Sequence, residues 1–381
     1  MRFPEFEGEW KVKKLGEVAT NFMYGMNAAA TVYDGENQYI RITDIDERTR
    51  LFTPNPLSSP DGELEDKYLL EKGDILFART GASVGKSYLY SEKDGKIFFA
   101  GFLIRLNVKT ENPYFIFSQT LTEKYQKWVL TMSMRSGQPG INAEEYKLLS
   151  IVIPSIQEQE KISSFLLLID ERIQTQNKII NDLKTLKTAT AKKIFLQELR
   201  LKDDNGNDFP EWEEDCLENV CDIKKGEQFN KEDLNEIGLY PCLNGGISPS
   251  GFSEKYNTDE NTITISEGGN SCGFVNIMKT KFWLGGHCYK ILLFKKISLM
   301  YFYQLLKFNE QNVMNLRVGS GLPNIQMKSL KRFTIKISTS ESEHNKIANF
   351  LSAIDSKIDI ESQLLQKLEE QKKFLLQNMF V

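Results

Sequence analysis

The stretch QEQEKISSFLLLIDERIQTQNKIINDLKTLKTATAKKIFLQEL, residues 157–199, decides how this chain is organised. It contains no Pro and no Gly, and its apolar residues recur at intervals of three and four, which predicts one amphipathic helix. Glu158 and Glu160 fall in the first turn, and Lys192 and Lys193 near the end, where the helix dipole favours each sign of charge. At 1.5 Å per residue the helix would be roughly 60 Å long, more than a compact domain needs. A helix of this length with one apolar stripe needs a partner helix.

The partner lies at the end of the chain. Residues 341–379 carry the same pattern at a constant offset of 185, so that Lys161-Ile162 returns as Lys346-Ile347 and Ile169-Asp170 as Ile354-Asp355. One such helix would fit ordinary core packing equally well. Two matching copies, each closing one half of the chain, favour a pair of spacer helices.

The repeat extends beyond the helices. Three pairs of segments match: Phe3-Pro4-Glu5-Phe6 with Phe209-Pro210-Glu211-Trp212, residues 73–81 with 261–269, and residues 136–142 with 320–326. Predicted strands at 149–153 and 333–337 lead into the two long helices. The sequence therefore predicts an α+β fold with an internal repeat. Its four parts are a first α+β domain (1–155), a central spacer helix (156–200), a second α+β domain (201–340) and a C-terminal spacer helix (341–381).

Composition restricts the class of protein. Of the 381 residues, 40% are hydrophobic and 26% charged, which is typical of a soluble globular protein. No apolar run is long enough to span a membrane, and the first ten residues show no signal-peptide core, so a cytoplasmic protein is expected. The five cysteines all lie in the second half, without a CxxC pair and with only two histidines in the chain. Reduced cysteines are therefore expected, rather than disulfides or a zinc site.

Charge does not mark either half as a free-standing DNA-binding domain. The chain has a net charge of −4; residues 1–155 carry 19 Lys/Arg against 21 Asp/Glu, and residues 201–340 carry 16 against 18. Any contact with nucleic acid must come from local clusters or be shared with a more basic partner.

Motifs for catalysis are absent. The segment Gly81–Ser87 has three residues between its glycines, where a phosphate loop needs four to form its cradle of N–H groups. Neither a dinucleotide-type Gly loop nor an Asp/Asn-Pro-Pro-aromatic methyltransferase stretch occurs. His287 lies in an aromatic, Gly-rich stretch, where a packed or surface contact is expected, and His344 is predicted on the solvent side of the second long helix. No catalytic or metal-binding constellation is predicted.

Small basic and amide-bearing loops remain, at equivalent places in each half. Arg pairs with guanine edges and Asn or Gln with adenine, whereas Ser, Thr and backbone N–H groups hold phosphates. The alternative is that these are solvated turn residues. The candidate DNA contacts are Arg79, Thr80, Ser83, Lys86, Arg135, Ser136, Gln138 and Asn142 in the first half, and Asn244, Asn270, Ser271, Arg317, Ser320, Asn324 and Gln326 in the second.

With these features in place, the chain resembles the specificity subunit of type I restriction–modification enzymes over essentially its whole length. The resemblance rests on the Phe-Pro-Glu-Phe/Trp starts, the segments 73–81 and 240–247, the two Ser-Gly-x-Pro-x-Ile loops and the helix start at 153–162. The second helix start, 342–347, departs from the usual Pro- and Gln-rich form.

The resemblance implies two target-recognition domains separated by an antiparallel coiled coil of the long helices, each domain reading half of a bipartite, asymmetric site in double-stranded DNA. It implies two modification (methyltransferase) subunits as partners, which would bring S-adenosylmethionine, and restriction subunits, which would add ATP- and Mg-dependent translocation and cleavage. The chain itself would hold no cofactor and would not be an enzyme. The alternative is a coiled-coil scaffold with two domains that bind other ligands or proteins.

Overall fold

In the computed structural model, residues 1–134, 138–230, 234–294, 296–319, 321 and 323–380 are described. The chain forms two units, one made of Met1–Asn177 and the chain from Leu364 to its end, the other of Lys178–Gln363. Each unit therefore contains parts of both long helices.

Within the described residues, the first unit contains ten strands, four short α-helices, the beginning of the first long helix and the end of the second. In chain order these are β1 (Lys11–Lys14), α1 (Leu15–Val18), β2 (Ala19–Tyr24), β3 (Ala30–Val32), β4 (Gln38–Ile40), β5 (Ser58–Pro60), β6 (Asp74–Ala78), β7 (Ser87–Leu89), β8 (Ile97–Phe99), β9 (Leu103–Val108), α2 (Pro113–Gln119), α3 (Glu123–Ser133), α4 (Ala143–Lys147), β10 (Ser150–Ile153) and α5 (Ile156–Phe195).

The second unit repeats much of this order. Its elements are β11 (Glu213–Cys216), α6 (Leu217–Val220), β12 (Cys221–Lys225), β13 (Tyr240–Leu243), β14 (Gly251–Ser253), β15 (Thr262–Ser266), β16 (Val275–Met278), β17 (Trp283–Leu284), β18 (Cys288–Leu293), α7 (Leu299–Phe308), α8 (Glu310–Met314), α9 (Met327–Lys331), β19 (Thr334–Ile337) and α10 (Glu341–Met379).

The sheets show the repeat most clearly. The first unit has an antiparallel four-stranded sheet in the order β2-β9-β6-β7, and the second has β12-β18-β15-β16. In each, the central strand β6 or β15 is buried along its whole length. An antiparallel pair, β1 with β10 or β11 with β19, connects the start of each unit to the strand before its long helix.

The two long helices contact each other through the same ion pair in each unit. In the first, Lys372 Nζ of α10 lies 2.5 Å from Asp170 Oδ1 of α5; in the second, Lys187 Nζ of α5 lies 2.7 Å from Asp355 Oδ1 of α10. The two ion pairs are equivalent. Asp170 corresponds to Asp355, and Lys187 to Lys372, at the same offset of 185 residues that relates the two helices. Within each unit the helices run antiparallel. Asp170 in the first half of α5 pairs with Lys372 near the end of α10, and Lys187 near the end of α5 pairs with Asp355 in the first half of α10.

The end of the chain completes the core of the first unit. Leu375, Leu376, Met379 and Phe380 are buried among its hydrophobic residues, and the Phe380 ring contacts Trp10 at 6.4 Å between centroids. The second half of α5 has this role in the second unit, where Phe195 contacts Trp212 at 6.1 Å. Each unit is therefore built around the start of one long helix and the end of the other.

The structure confirms the predicted α+β class, the internal repeat and the two long helices, with two local differences. The first long helix ends at Phe195, and Gln197 adopts a positive φ. His344, expected on the solvent side, is 2% exposed. It lies near the start of α10, where its ring stacks on Tyr301.

Candidate nucleic-acid interface

The two predicted contact loops of each half lie side by side. In the first unit, Thr80 pairs with Gly140, and Gly81 N donates to Pro139 O at 3.1 Å. In the second, Gly268 pairs with Asn324, and Gly269 N donates to Pro323 O at 3.0 Å. In both units the turn after the central strand is thus hydrogen-bonded to the Ser-Gly-x-Pro loop. The candidate contacts therefore come together where the central strand ends, and this end of each sheet is called its loop edge.

Positive φ explains why glycine stands in these turns. Gly81 and Gly269 both have a φ of +76°, and Gly85 and Gly273 follow with +83° and +91°. Side chains other than Gly are strained there. A β-carbon on Gly85 would also lie 2.6 Å from the methyl groups of Val129. The Gly-x-x-x-Gly pattern therefore shapes a tight turn against α3, as it does against Met314 in the second unit, and does not cradle a phosphate.

In the first unit, four of the described candidates lie at this edge. The Arg79 guanidinium stacks over the ring of Tyr24, 4.7 Å from its centroid, and Gln138 is exposed with its Nε2 beside Gly81. Thr80 and Ser83 are half-buried in the turn. The candidates Arg135 and Ser136 lie outside the described residues.

The structure contradicts the prediction that Lys86 is a DNA contact. Its side chain is 7% exposed, and Nζ donates to the carbonyl of Ile45 at 3.0 Å and pairs with Glu47 at 2.7 Å. The side chain is turned inward because these partners satisfy its charge beneath the turn. Lys86 is therefore a structural residue and is removed from the candidate contacts.

Asn142 is exposed but has a structural task. Its Oδ1 accepts from Glu145 N at 2.9 Å, and the Glu145 carboxylate accepts from Asn142 N at 2.7 Å. These reciprocal bonds form a capping box at the start of α4. The placement favours the cap over a base contact.

In the second unit, Asn244 lies against the loop that carries His287, and its Oδ1 accepts from His287 N at 3.3 Å. Arg317 lies close enough to Cys272 for its charge to oppose the rise in the pKa of that thiol that burial causes. Ser320 lies outside the described residues. The remaining candidates are half-buried or exposed at the same edge: Asn270, Ser271, Arg317, Asn324 and Gln326.

Glu267 lies beside the candidate contacts of the second unit, although it is not among the residues predicted from the sequence. It follows the central strand directly; its Oε1 accepts from Lys225 Nζ at 2.7 Å and from the Tyr289 hydroxyl at 2.8 Å, and its Oε2 lies 3.9 Å from His287 Nδ1. Burial, together with this carboxylate, raises the pKa of Tyr289, so the hydroxyl stays protonated and donates. The signal was present in the match of residues 73–81 with 261–269, which sets Glu267 opposite Arg79.

No group of three or more His, Cys, Asp or Glu among the described residues could hold a metal ion. The cysteines are free thiols, and burial raises the pKa of Cys288 to about 11 and of Cys221 to about 12. Over the same described residues, no helix is both long and apolar enough to cross a lipid bilayer.

Comparison with known proteins finds a matching family model and several relatives of the same kind. A family model described as the type I restriction modification DNA specificity domain matches residues 7–185 and again 210–370. A Mycoplasma genitalium protein named as a type I specificity subunit is 32% identical over 157 residues, 41% of either chain. The MjaVIII type I restriction enzyme specificity subunit of Methanocaldococcus jannaschii is 22% identical over 99% of this chain and 92% of its own.

Solved structures share the fold. The type I restriction–modification S subunit of M. genitalium matches with a TM-score of 0.67 at 19% identity, covering 98% of this chain and 96% of that one. A structure described in terms of complex assembly and conformational transition of the type I system matches with a TM-score of 0.55 at 17% identity, covering 96% of each chain.

Proposed function

The chain belongs to the type I restriction–modification DNA specificity family, of which it carries two domains, and we propose that it directs such a system to a bipartite, asymmetric site in double-stranded DNA. The resemblance drawn from the sequence is confirmed by this family match. Each unit would read one half of the site through the loop edge described above. Specificity subunits are non-catalytic, so the chain itself is not an enzyme.

The observation that carries the proposal is a repeated backbone frame with different side chains in the two units. The same hydrogen bonds close the turn after β6 and after β15, from Gly85 N to Ala78 O at 2.9 Å and from Gly273 N to Ser266 O at 2.8 Å. The residues at that edge differ, as with Thr80 and Gly268. Two rigid frames with different side chains suit the reading of two different base sequences.

Partner subunits complete the proposed activity. Two modification subunits would dock on this chain and supply S-adenosylmethionine and methyl transfer, and restriction subunits would supply ATP- and Mg-dependent translocation and cleavage. A net charge of −4 supports a chain that binds DNA mainly within such an assembly, where a partner contributes the positive charge.

The test is methylation of genomic DNA by the purified chain, by modification subunits of the same system, and by both together. We expect methylation of a two-part motif only when both are present, because this chain would supply the address and its partner the chemistry. Methyl transfer by the single chain would contradict the non-catalytic role. An assembled complex without affinity for any duplex would instead favour a scaffold for other ligands.

A further inference from the structure

We propose that three backbone-equivalent positions form a base-reading triad in each unit, and that the two triads read opposite hydrogen-bonding edges: Tyr24, Arg79 and Phe102 a guanine, and Lys225, Glu267 and His287 the amino group of a cytosine. This inference rests on the proposed function and assigns residues and bases to it.

Backbone hydrogen bonds establish the equivalence of the central and third positions. Arg79 N donates to Phe102 O at 3.1 Å, and Glu267 N donates to His287 O at 2.8 Å. The carbonyls of the same two residues accept from Ile141 N at 2.9 Å and from Ile325 N at 2.8 Å. Arg79 and Glu267 are therefore held between the same two loops.

The equivalence of the first positions, Tyr24 and Lys225, follows from the glycine after each of them, which lies close to the backbone of the third-position loop. A β-carbon on Gly25 would lie 2.3 Å from the carbonyl oxygens of Phe99 and Ala100, and one on Gly226 would lie 2.2 Å from Gly285 O. Only Gly permits this approach. It brings the preceding residue, Tyr24 or Lys225, beside the loop of the third position, and there Tyr24 contacts Arg79 while Lys225 contacts Glu267.

The side chains of the triads are opposite in chemistry. In the first unit a guanidinium, which only donates, lies over the ring of Tyr24. The third residue, Phe102, is joined to Arg79 through the backbone and is 63% exposed. The guanidinium carries its N–H donors in a planar fork, which suits bidentate pairing with guanine O6 and N7.

In the second unit the central residue is an acceptor. The Glu267 side chain is 15% exposed between Lys225, 47% exposed, and His287, 59% exposed. Lys225 and Tyr289 both bind Oε1, whereas the His287 ring lies on the Oε2 side beyond hydrogen-bond distance. A carboxylate oxygen in that position suits the N4 amino group of cytosine, the usual partner of Glu in the major groove.

The test uses the assembled complex with its modification subunits. The methylated motif of the wild type is determined first, and binding is then measured on duplexes with each of the four bases at every position of both half-sites. In Arg79→Gln, discrimination in favour of guanine should fall from about 5–150-fold to within about threefold at one position of one half-site. In Glu267→Gln, the same loss should affect cytosine at one position of the other half-site.

Matched controls carry the same chemical changes outside the triads. Arg48→Gln and Asp259→Asn alter side chains that are 58% and 79% exposed in the first and second units, and should leave the motif unchanged. His287→Phe, which installs the residue of the first unit at an exposed position, should change preference only in the half-site that Glu267 reads. It decides the question for the second unit if Glu267→Gln fails to fold.

Folded variant complexes with an unchanged motif would overturn the assignment, as would an equal loss of affinity for all bases, which indicates a phosphate or structural role. A wild-type complex that methylates no two-part motif would instead contradict the proposed function itself.

Discussion

His344 is a buried histidine whose surroundings oppose its protonation. Its Nε2 lies 2.7 Å from Ser338 O, and its ring stacks on Tyr301 with 4.2 Å between centroids. Burial lowers the pKa of His344 below its ordinary value of 6.5, although the Ser338 carbonyl and Glu343 oppose this. The folded state therefore resists protonation at a pH where the unfolded chain takes up a proton.

We expect this histidine to make the chain less stable in mild acid. Because the folded pKa is the lower one, its contribution is present above pH 6.5 and is lost as the pH falls from there toward the folded value. His344→Gln, which keeps a donor for the Ser338 carbonyl, should flatten the decline in the free energy of unfolding between pH 7.5 and 5.5. The control is His287→Gln, since His287 is the other histidine and is 59% exposed. Equal slopes in His344→Gln and the wild type would refute the assignment.

Individual contact residues were predictable only where the neighbours are local. The turn glycines follow from the sequence repeat, and Asn142 stands three residues before Glu145, the spacing of a capping box. The inward turn of Lys86 was not predictable, because its carbonyl partner Ile45 lies 41 residues away. Glu267 was missed for a related reason, since its partner Lys225 comes from a different strand 42 residues earlier.

The last turns of α10 act as a core element of the first unit. Leu375 is 5% exposed within that core, whereas the adjacent Phe374 is 53% exposed. We expect Leu375→Ala to lower the free energy of unfolding of this unit by about 2–5 kcal/mol through the lost burial and the cavity.

The neighbouring substitution Phe374→Ala is the control, with an expected change within about 0.5 kcal/mol. Denaturant unfolding of the purified chain, followed by hydrogen exchange of amides in β6 and β9, separates the first unit from the second. A Leu375→Ala chain that leaves those amides protected as in the wild type would show that the end of the chain is dispensable.

The ion pair Asp170–Lys372 between the two long helices should contribute to stability, because it is partly buried and its carboxylate also binds a third side chain. Asp170 is 21% and Lys372 19% exposed, and Asp170 Oδ2 also accepts from the Tyr114 hydroxyl at 2.5 Å. A double-mutant cycle with Asp170→Asn and Lys372→Met should give a coupling energy of about 0.5–3 kcal/mol.

The exposed pair Lys202–Asp208, 60% and 66% exposed at 3.8 Å, serves as the comparison. There we expect coupling of about 0–1 kcal/mol, because solvent screens the charges. A coupling energy for Asp170 and Lys372 no larger than that of the exposed pair would contradict a role in fixing the register of the helices.

Elements with strong periodicity were predicted well, and elements set by long-range pairing were not. The second long helix spans Glu341–Met379, close to the predicted range 341–381. The four-stranded sheets could not be derived in their strand order, because β2 pairs with β9 across more than 80 residues. The burial of Phe380 in the first unit likewise depends on Trp10 and Phe115, which lie far earlier in the sequence.

The chain consists of two units that share one backbone arrangement. Each unit is completed by part of the long helix that follows the other unit's domain in the sequence. Trp10 Nε1 donates to Glu158 at 3.2 Å in the first unit and Trp212 Nε1 to Glu343 at 2.9 Å in the second. Such matched interior contacts keep the frame constant while the loop edges differ. We therefore expect the recognition of the two halves of a DNA site to be separable.

The most direct measurement is the methylated motif produced after exchange of residues 209–334 for the matching segment of a relative with a known and different target. The exchanged chain is assembled with its own modification subunits, and methylated positions are mapped across a genome. We predict that one half of the motif changes to that of the donor while the other half stays the same. Altered bases in both halves would contradict independent recognition by the two units.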